Sequence, residues 1–177
     1  MIITNSPLLD VLIIENKKFG DDRGWFSEVF RQNEFEMAAG KHNFVQYNES
    51  FSGHGILRGI HFQNPNPQGK LVRVVRGEVF DVAVDLRKNS KTYGHWFGIT
   101  LSAENGKQLW IPEGFGHGFY VTGECAHFIY QCTNYYDPKS EHCIKYDDKD
   151  LNIKWPLQGK QPIVSEKDLT GISFLDY

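Results

Sequence analysis

Along most of this chain, apolar and polar residues alternate over short runs and do not recur at helical spacing. Residues 70–75 and 78–86 are Val-rich runs separated by Arg76-Gly77, a pattern that predicts two strands joined as a hairpin. In the second run Phe80, Val82, Val84 and Leu86 share one face, and Val79, Asp81, Ala83 and Asp85 share the other, giving the strand an apolar and a polar side. Shorter strands are predicted at 98–101, 108–111, 118–121 and 126–133, with Gly, Pro and Asn between them. Residues 57–63 read as one more strand, apolar apart from Arg58, His61 and Gln63. One helix is predicted, with Asn33 as cap, Glu36 at the capping-box position and Gly40 as its end. The tail from Leu151 reads as an irregular wrap closed by one turn at Ser165. Many short strands at this spacing predict an all-β sandwich or barrel of the jelly-roll kind.

Composition narrows the function classes. With 177 residues and 40% hydrophobic content, the chain can bury a substantial core as one domain, residues 1–177. Within it we read an N-terminal arm at about 1–45, a barrel at about 46–146 and a C-terminal wrap at about 147–177. A formal charge of -3 provides no global basic field, so neither nucleic acid nor a membrane surface is an expected partner. The N-terminus lacks a cationic region followed by an apolar core, and no segment approaches the roughly 20 apolar residues of a membrane span; a soluble, cytoplasmic protein is expected. Cys125, Cys132 and Cys143 are odd in number and show no CxxC spacing, which points to reduced thiols, not to disulfides or a zinc knuckle.

The chemistry concentrates in Leu57-Arg58-Gly59-Ile60-His61-Phe62-Gln63. Here a titratable imidazole and a permanent cation sit in an otherwise apolar strand, which suggests an anionic ligand handled by a base. Gly106-x5-Pro112-x-Gly114-x2-His117 resembles the second cupin motif, and Gly55-x5-His61 the start of the first. In the cupin pattern Gln63 stands where a second histidine is expected and Gln68 near the place of a glutamate. Two histidines are too few for a closed metal shell, so no metal and no cofactor are expected.

Further motifs run the length of the chain: Arg23-Gly24-x-Phe26-x-Glu28, Val45-Gln46-x-Asn48-x-Ser50, Gln68-Gly69-Lys70-Leu71-Val72-Arg73, the run 77–85, Pro112-x-Gly114-Phe115-x-His117-Gly118-Phe119, Tyr130, Tyr135-Tyr136, Glu141 and Ser165-x-Lys167-Asp168. In this order they resemble the dTDP-4-dehydrorhamnose 3,5-epimerase family, cupin enzymes that invert the two carbons flanking a sugar ketone. The resemblance implies a cupin-type jelly-roll β-barrel with a short N-terminal helix and a C-terminal extension. The expected substrate is a dTDP-4-keto-6-deoxysugar.

Epimerisation beside a ketone removes a C–H proton, holds an enolate and returns a proton to the opposite face. A base, an anion stabiliser and an acid must therefore surround the ring. His61 suits the base, and the resemblance makes Asp168 its partner, Lys70 the stabiliser of the oxyanion, Tyr130 the opposing acid and Asp81 a group that orients Lys70. By the same resemblance Arg58 binds diphosphate, for which its planar fork is suited, and Gln46 and Asn48 meet the nucleotide. Tyr47, between them, replaces an Asp common in the family. Tyr136, Glu141 and Lys167 contact the ligand, and His117 contacts phosphate or sugar. Arg23, Phe26 and Glu28 reach a neighbouring subunit's pocket in a homodimer that exchanges arms.

Plainer readings stand beside these. His117 could hold a turn at Gly116-His117-Gly118, Tyr130 could be core, Asp168 could cap a helix dipole, and Arg23 with Glu28 could be a local surface pair. An enzyme inverting one carbon, a ketosugar isomerase and a non-catalytic sugar-nucleotide binder remain open from the residues alone. One tension is testable in the structure: Arg58 and His61 are three apart and would face opposite ways on a regular strand, so sharing a pocket requires an irregularity at Gly59.

Overall fold

The computed structural model describes residues 1–177. Its architecture follows from two long strands, β7 (Lys70–Asp85) and β10 (Phe115–Cys132), which pair antiparallel along nearly their whole length. The predicted hairpin at Arg76-Gly77 is instead a bend within β7, because the runs on either side of it both pair with β10. Gly77 has φ 78°, and a Cβ there would lie 1.7 Å from the Cys125 carbonyl oxygen. A left-handed glycine thus absorbs a register shift without reversing the chain. The strands predicted at 118–121 and 126–133 likewise fuse into β10.

The bend divides the two strands between two layers. The first half of β7 pairs with β9 (Gln108–Ile111) and the second half with β8 (Trp96–Ser102). The end of β10 pairs with β5 (Gln46–Gly53), while its beginning pairs with β6 (Leu57–Gln63), which in turn pairs with β11 (Glu141–Cys143). β1 (Ile2–Asn5) and β2 (Leu12–Glu15) extend the β9 side. The hydrogen-bonded path runs β1-β2-β9-β7-β10-β6-β11 and stays open, so the expected barrel is a jelly roll that does not close into a ring.

A cluster of 14 buried residues, including Val72, Val79, Leu101, Leu109, Phe119 and Phe128, joins the layers. Both outer faces are covered as well. Phe35 of α1 (Gln32–Ala39) packs on Leu12, Ile14, Leu71 and Trp110, and Leu151, Ile153 and Phe174 of the C-terminal wrap pack on Ile60, Val82, Val84 and Leu86. The wrap explains the faces of β7. Its apolar side, Val82 and Val84, turns outward under the tail, and its polar side, with Asp81 and Asp85 fully buried, turns inward.

The helix begins earlier than Asn33: Arg31 is the cap and makes no side-chain cap bond, while Gly40 closes the end with φ 84°. Glu36 accepts instead from Gln32, one turn back, at 2.6 Å. At the other end Ser165 caps α2 (Glu166–Leu169) by accepting from the Asp168 N–H. The residues read as an arm divide into two parts. β1 and β2 belong to the main sheet, whereas β3 (Phe19–Asp21) and β4 (Gly24–Phe26) form a separate hairpin with Phe19, Trp25 and Phe26 exposed. No helix is long and apolar enough to cross a membrane.

Candidate active site

β6 supplies two site residues because it is irregular. His61 pairs with His117 and Arg58 with Phe119, so three steps along β6 match two along β10. Gly59, with φ 117°, sits at this shift, and a Cβ there would lie 2.6 Å from Gly118 Cα. The extra residue turns Arg58 and His61 toward the same cleft, where both line a hollow of about 230 Å³ together with Ser50, Lys70, His117, Phe128 and Tyr130. His61, Lys70 and Tyr130 also line an adjoining hollow of about 240 Å³ with Gln46, Asn48, Gln63, Tyr136 and Glu141. Three shared side chains make these two lobes of one cleft.

His61 Nε2 lies 2.6 Å from Asp168 Oδ1. Asp168 is 3% exposed, and its other oxygen accepts from the Gly59 N–H at 3.4 Å. Burial opposes its ionisation, but the hydrogen bond and charge of His61, with Gly59 and Ser165, hold the carboxyl below its ordinary range. Lys70 and Tyr130 face the same space from β7 and β10. Burial pushes the Lys70 ammonium down, against Cys132, Asp81 and Glu141, which favour its charged form. Burial and Cys132 push the Tyr130 phenol up, against Arg58 and Asn48. A tyrosine so placed keeps its proton available for donation.

His117 is not a turn residue: it lies in β10, 7% exposed, with Nε2 2.9 Å from Asp81 Oδ2. The direct partner of Asp81 is therefore His117, and no hydrogen bond joins Asp81 to Lys70. Its other oxygen, Oδ1, is buried without a protein partner. Strand alternation also removes Tyr47 from the cleft of its own chain. Gln46 and Asn48 line the cleft and are bonded to each other at 3.0 Å, whereas Tyr47 is on the opposite face of β5, 67% exposed.

At the exposed rim of the cleft, the Tyr136 hydroxyl donates to Glu141 at 2.6 Å, and Glu141 also pairs with Lys167. Burial would raise the Glu141 carboxyl, but these two contacts hold it below its ordinary range. Arg58 donates from Nε to Ser52 at 3.0 Å and is exposed on the cleft side. Arg23, Phe26 and Glu28 are not brought to this cleft. Arg23 pairs with Asp21, Glu28 with Arg31, and Phe26 is 70% exposed.

Cys143 was not among the sequence-derived candidates. Its thiol donates toward Asp168 Oδ1 at 3.8 Å, and no motif signals this contact because the pairing of β11 with His61 creates it. The donor atoms of His61, Cys143 and Asp168 lie within 4.8 Å of one another, the donor types of a metal site. Burial and the Asp168 charge push the thiol up to about 12, and in this arrangement it donates a hydrogen bond toward the carboxylate. The largest hollow, about 780 Å³ between the β1–β2 turn and the end of α1, contains His42 and Lys91 but none of these acid–base groups. Chemistry, not size, selects the cleft.

Comparison with known proteins agrees with this geometry. The family model described as dTDP-4-dehydrorhamnose 3,5-epimerase matches residues 5–176. The dTDP-4-dehydrorhamnose 3,5-epimerase of Shigella flexneri is 53% identical over 99% of this chain and 97% of its own length. The crystal structure of dTDP-6-deoxy-D-glucose-3,5-epimerase from Legionella pneumophila in complex with dTDP-4-keto-L-rhamnose superposes with TM-score 0.94 at 49% identity, covering 98% of this chain and 93% of that one. A 3'-monoepimerase from Streptomyces bikiniensis in complex with dTDP-quinovose is more distant, with TM-score 0.88 and 32% identity over 96% of this chain and 86% of that one. By the extent of these matches, and with the cleft residues in place, the chain belongs to the dTDP-4-dehydrorhamnose 3,5-epimerase family.

Proposed function

We propose that this protein is an isomerase, a 3,5-epimerase that converts dTDP-4-dehydro-6-deoxy-D-glucose to dTDP-4-dehydro-L-rhamnose. The observation that carries the reading is the 2.6 Å pairing of His61 with buried Asp168 in a cleft that Lys70 and Tyr130 also enter. His61 takes the proton from the carbon beside the ketone. Asp168 fixes the imidazole tautomer and stabilises the imidazolium as it forms. The Lys70 ammonium lies where the C4 oxygen gains charge, and in so small a cleft its field is poorly screened. Tyr130 returns a proton from the opposite face. No step calls on a cofactor.

The rest of the cleft fits the nucleotide. Arg58 offers its unpaired guanidinium nitrogens to the diphosphate, while Gln46, Asn48, Tyr136, Glu141 and Lys167 surround the thymidine. His117, held by Asp81, forms the floor of the inner lobe near the sugar. The exposed Arg23, Phe26 and Glu28 are available to complete a partner's cleft in a homodimer, an arrangement supported by the aromatic content of the free hairpin.

Incubation with the ketosugar in D₂O tests the assignment, with label expected at both C3 and C5. A single-carbon epimerase is the second reading, favoured by the likeness to the 3'-monoepimerase; it would label one carbon. A pure binder would label neither and would leave the dyad and Lys70 without a role.

A further inference from the structure

Residues 134–137 carry Tyr136 to the mouth of the cleft, and they belong to no strand or helix. Each of the four is nevertheless tied through its backbone to a glutamine side chain. Gln68 Nε2 donates to the Asn134 carbonyl at 2.8 Å, and Gln63 Nε2 donates to the Tyr135 carbonyl at 3.2 Å. The Tyr136 N–H donates to Gln46 Oε1 at 2.8 Å, and the Asp137 N–H to Gln63 Oε1 at 2.9 Å. Gln63 Nε2 also donates to the Asn66 carbonyl at 2.6 Å. The Gln63 side chain is therefore saturated as a donor, with both N–H groups directed to backbone carbonyls. Although it lines the cleft, it has no donor left for a ligand.

We propose that Gln63, supported by Gln68, is a positioning residue that clamps the 134–137 segment and so holds Tyr136 against Glu141 at the nucleotide end of the cleft. Without the clamp these backbone groups would turn to water and the segment would sample many conformations, a cost that returns when ligand binds. Because Tyr136 bonds Glu141 and makes no hydrogen bond to the His61–Asp168 pair, the clamp is expected to act alike on ground and transition states. Its removal falls on binding, not on turnover. The inference rests on the dTDP-sugar reading of the cleft.

The test measures dTDP affinity by calorimetry, together with KM and kcat for the ketosugar. Gln63→Ala is expected to weaken dTDP binding and raise KM about tenfold, with kcat within about threefold, since a buried amide linked to three backbone groups is lost. Gln63→Glu has the same length but cannot donate to the two carbonyls, so it should not rescue. In a Tyr136→Ala background the Gln63→Ala effect on binding should largely vanish, because the two act through one contact. Gln68→Ala should weaken binding about threefold, and it decides the matter if Gln63→Ala does not fold.

The clamp is overturned if Gln63→Glu binds dTDP as wild type does, if Gln63→Ala lowers kcat while dTDP affinity is unchanged, if the double variant shows full additivity, or if a folded Gln68→Ala leaves both affinity and KM unaltered. Failure of the wild-type protein to bind dTDP would instead overturn the nucleotide reading itself, and the clamp with it.

Discussion

His61 and Asp168 are 107 positions apart in the chain and 2.6 Å apart in space. The contact exists because the C-terminal wrap returns across β6, with Ile163 bridging Ile56, Ser165 capping α2 and Asp168 in its first turn. The dyad therefore depends on the tail as much as on the strand. Asp168→Asn keeps the shape but no longer stabilises an imidazolium. Its kcat/KM should fall by about 10² to 10⁴, and deuterium exchange at both carbons should slow in parallel. His61→Ala should abolish exchange.

Tyr130→Phe separates proton removal from proton return. If the phenol donates from the far face, exchange into the substrate should persist while formation of the inverted product drops by about 10² or more. Comparing NMR-detected exchange with product configuration checks this. Normal inversion in the variant would sink the acid assignment.

Lys70→Met tests the proposed oxyanion role, since it removes the charge while keeping much of the side-chain volume. Loss of a preorganised electrostatic donor of this kind typically costs about 10² to 10³ in kcat. Ketosugar KM should change far less, which steady-state kinetics would show.

Asp85 gives a pH prediction that is independent of catalysis. Burial alone would raise its carboxyl, but Arg87, Ser90 and Thr92 hold it down to about 2. A carboxyl depressed in the folded state contributes stability that is present above its unfolded value, near about 4, and lost as pH falls toward 2. The amount is on the order of 1 to 2 kcal/mol after allowance for solvent screening of the part-exposed Arg87 partner. Urea denaturation from pH 7 to pH 2 should show this loss in the wild type. In Asp85→Asn it should be smaller, on a lower baseline.

If the arm is exchanged in a homodimer, as proposed, subunits should complement one another. Phe26→Ala and His61→Ala homodimers should each be impaired. After mixing and subunit exchange, activity should recover, because in a hybrid dimer one cleft receives both an intact His61 and an intact partner Phe26. Absence of recovery despite confirmed exchange by mass spectrometry would exclude arm exchange.

Local pattern was sufficient for the all-β jelly roll, for β9 and for the turn at Ser165, which rest on side-chain alternation and on a capping residue. The irregularity at Gly59 is required only once the resemblance asks Arg58 and His61 to share a pocket against strand parity. The motifs likewise identified His61, Lys70, Tyr130 and Asp168 as a set. Alternation could not show that Arg76-Gly77 bends one strand and does not join two: a left-handed glycine serves either end, and only pairing of both halves with β10 decides it. Nor could it show that the apolar side of β7 turns outward, since that depends on the tail that covers it. The partner of Asp81 and the approach of Cys143 to the dyad were settled by strand register. A one-residue difference there reverses every side chain, and register is fixed by contacts between distant segments. The sequence by itself thus determined the kind of fold and the groups available for proton transfer. The tertiary structure alone decided which of those groups touch, because hydrogen-bond geometry across layers is set by long-range packing and leaves no local pattern.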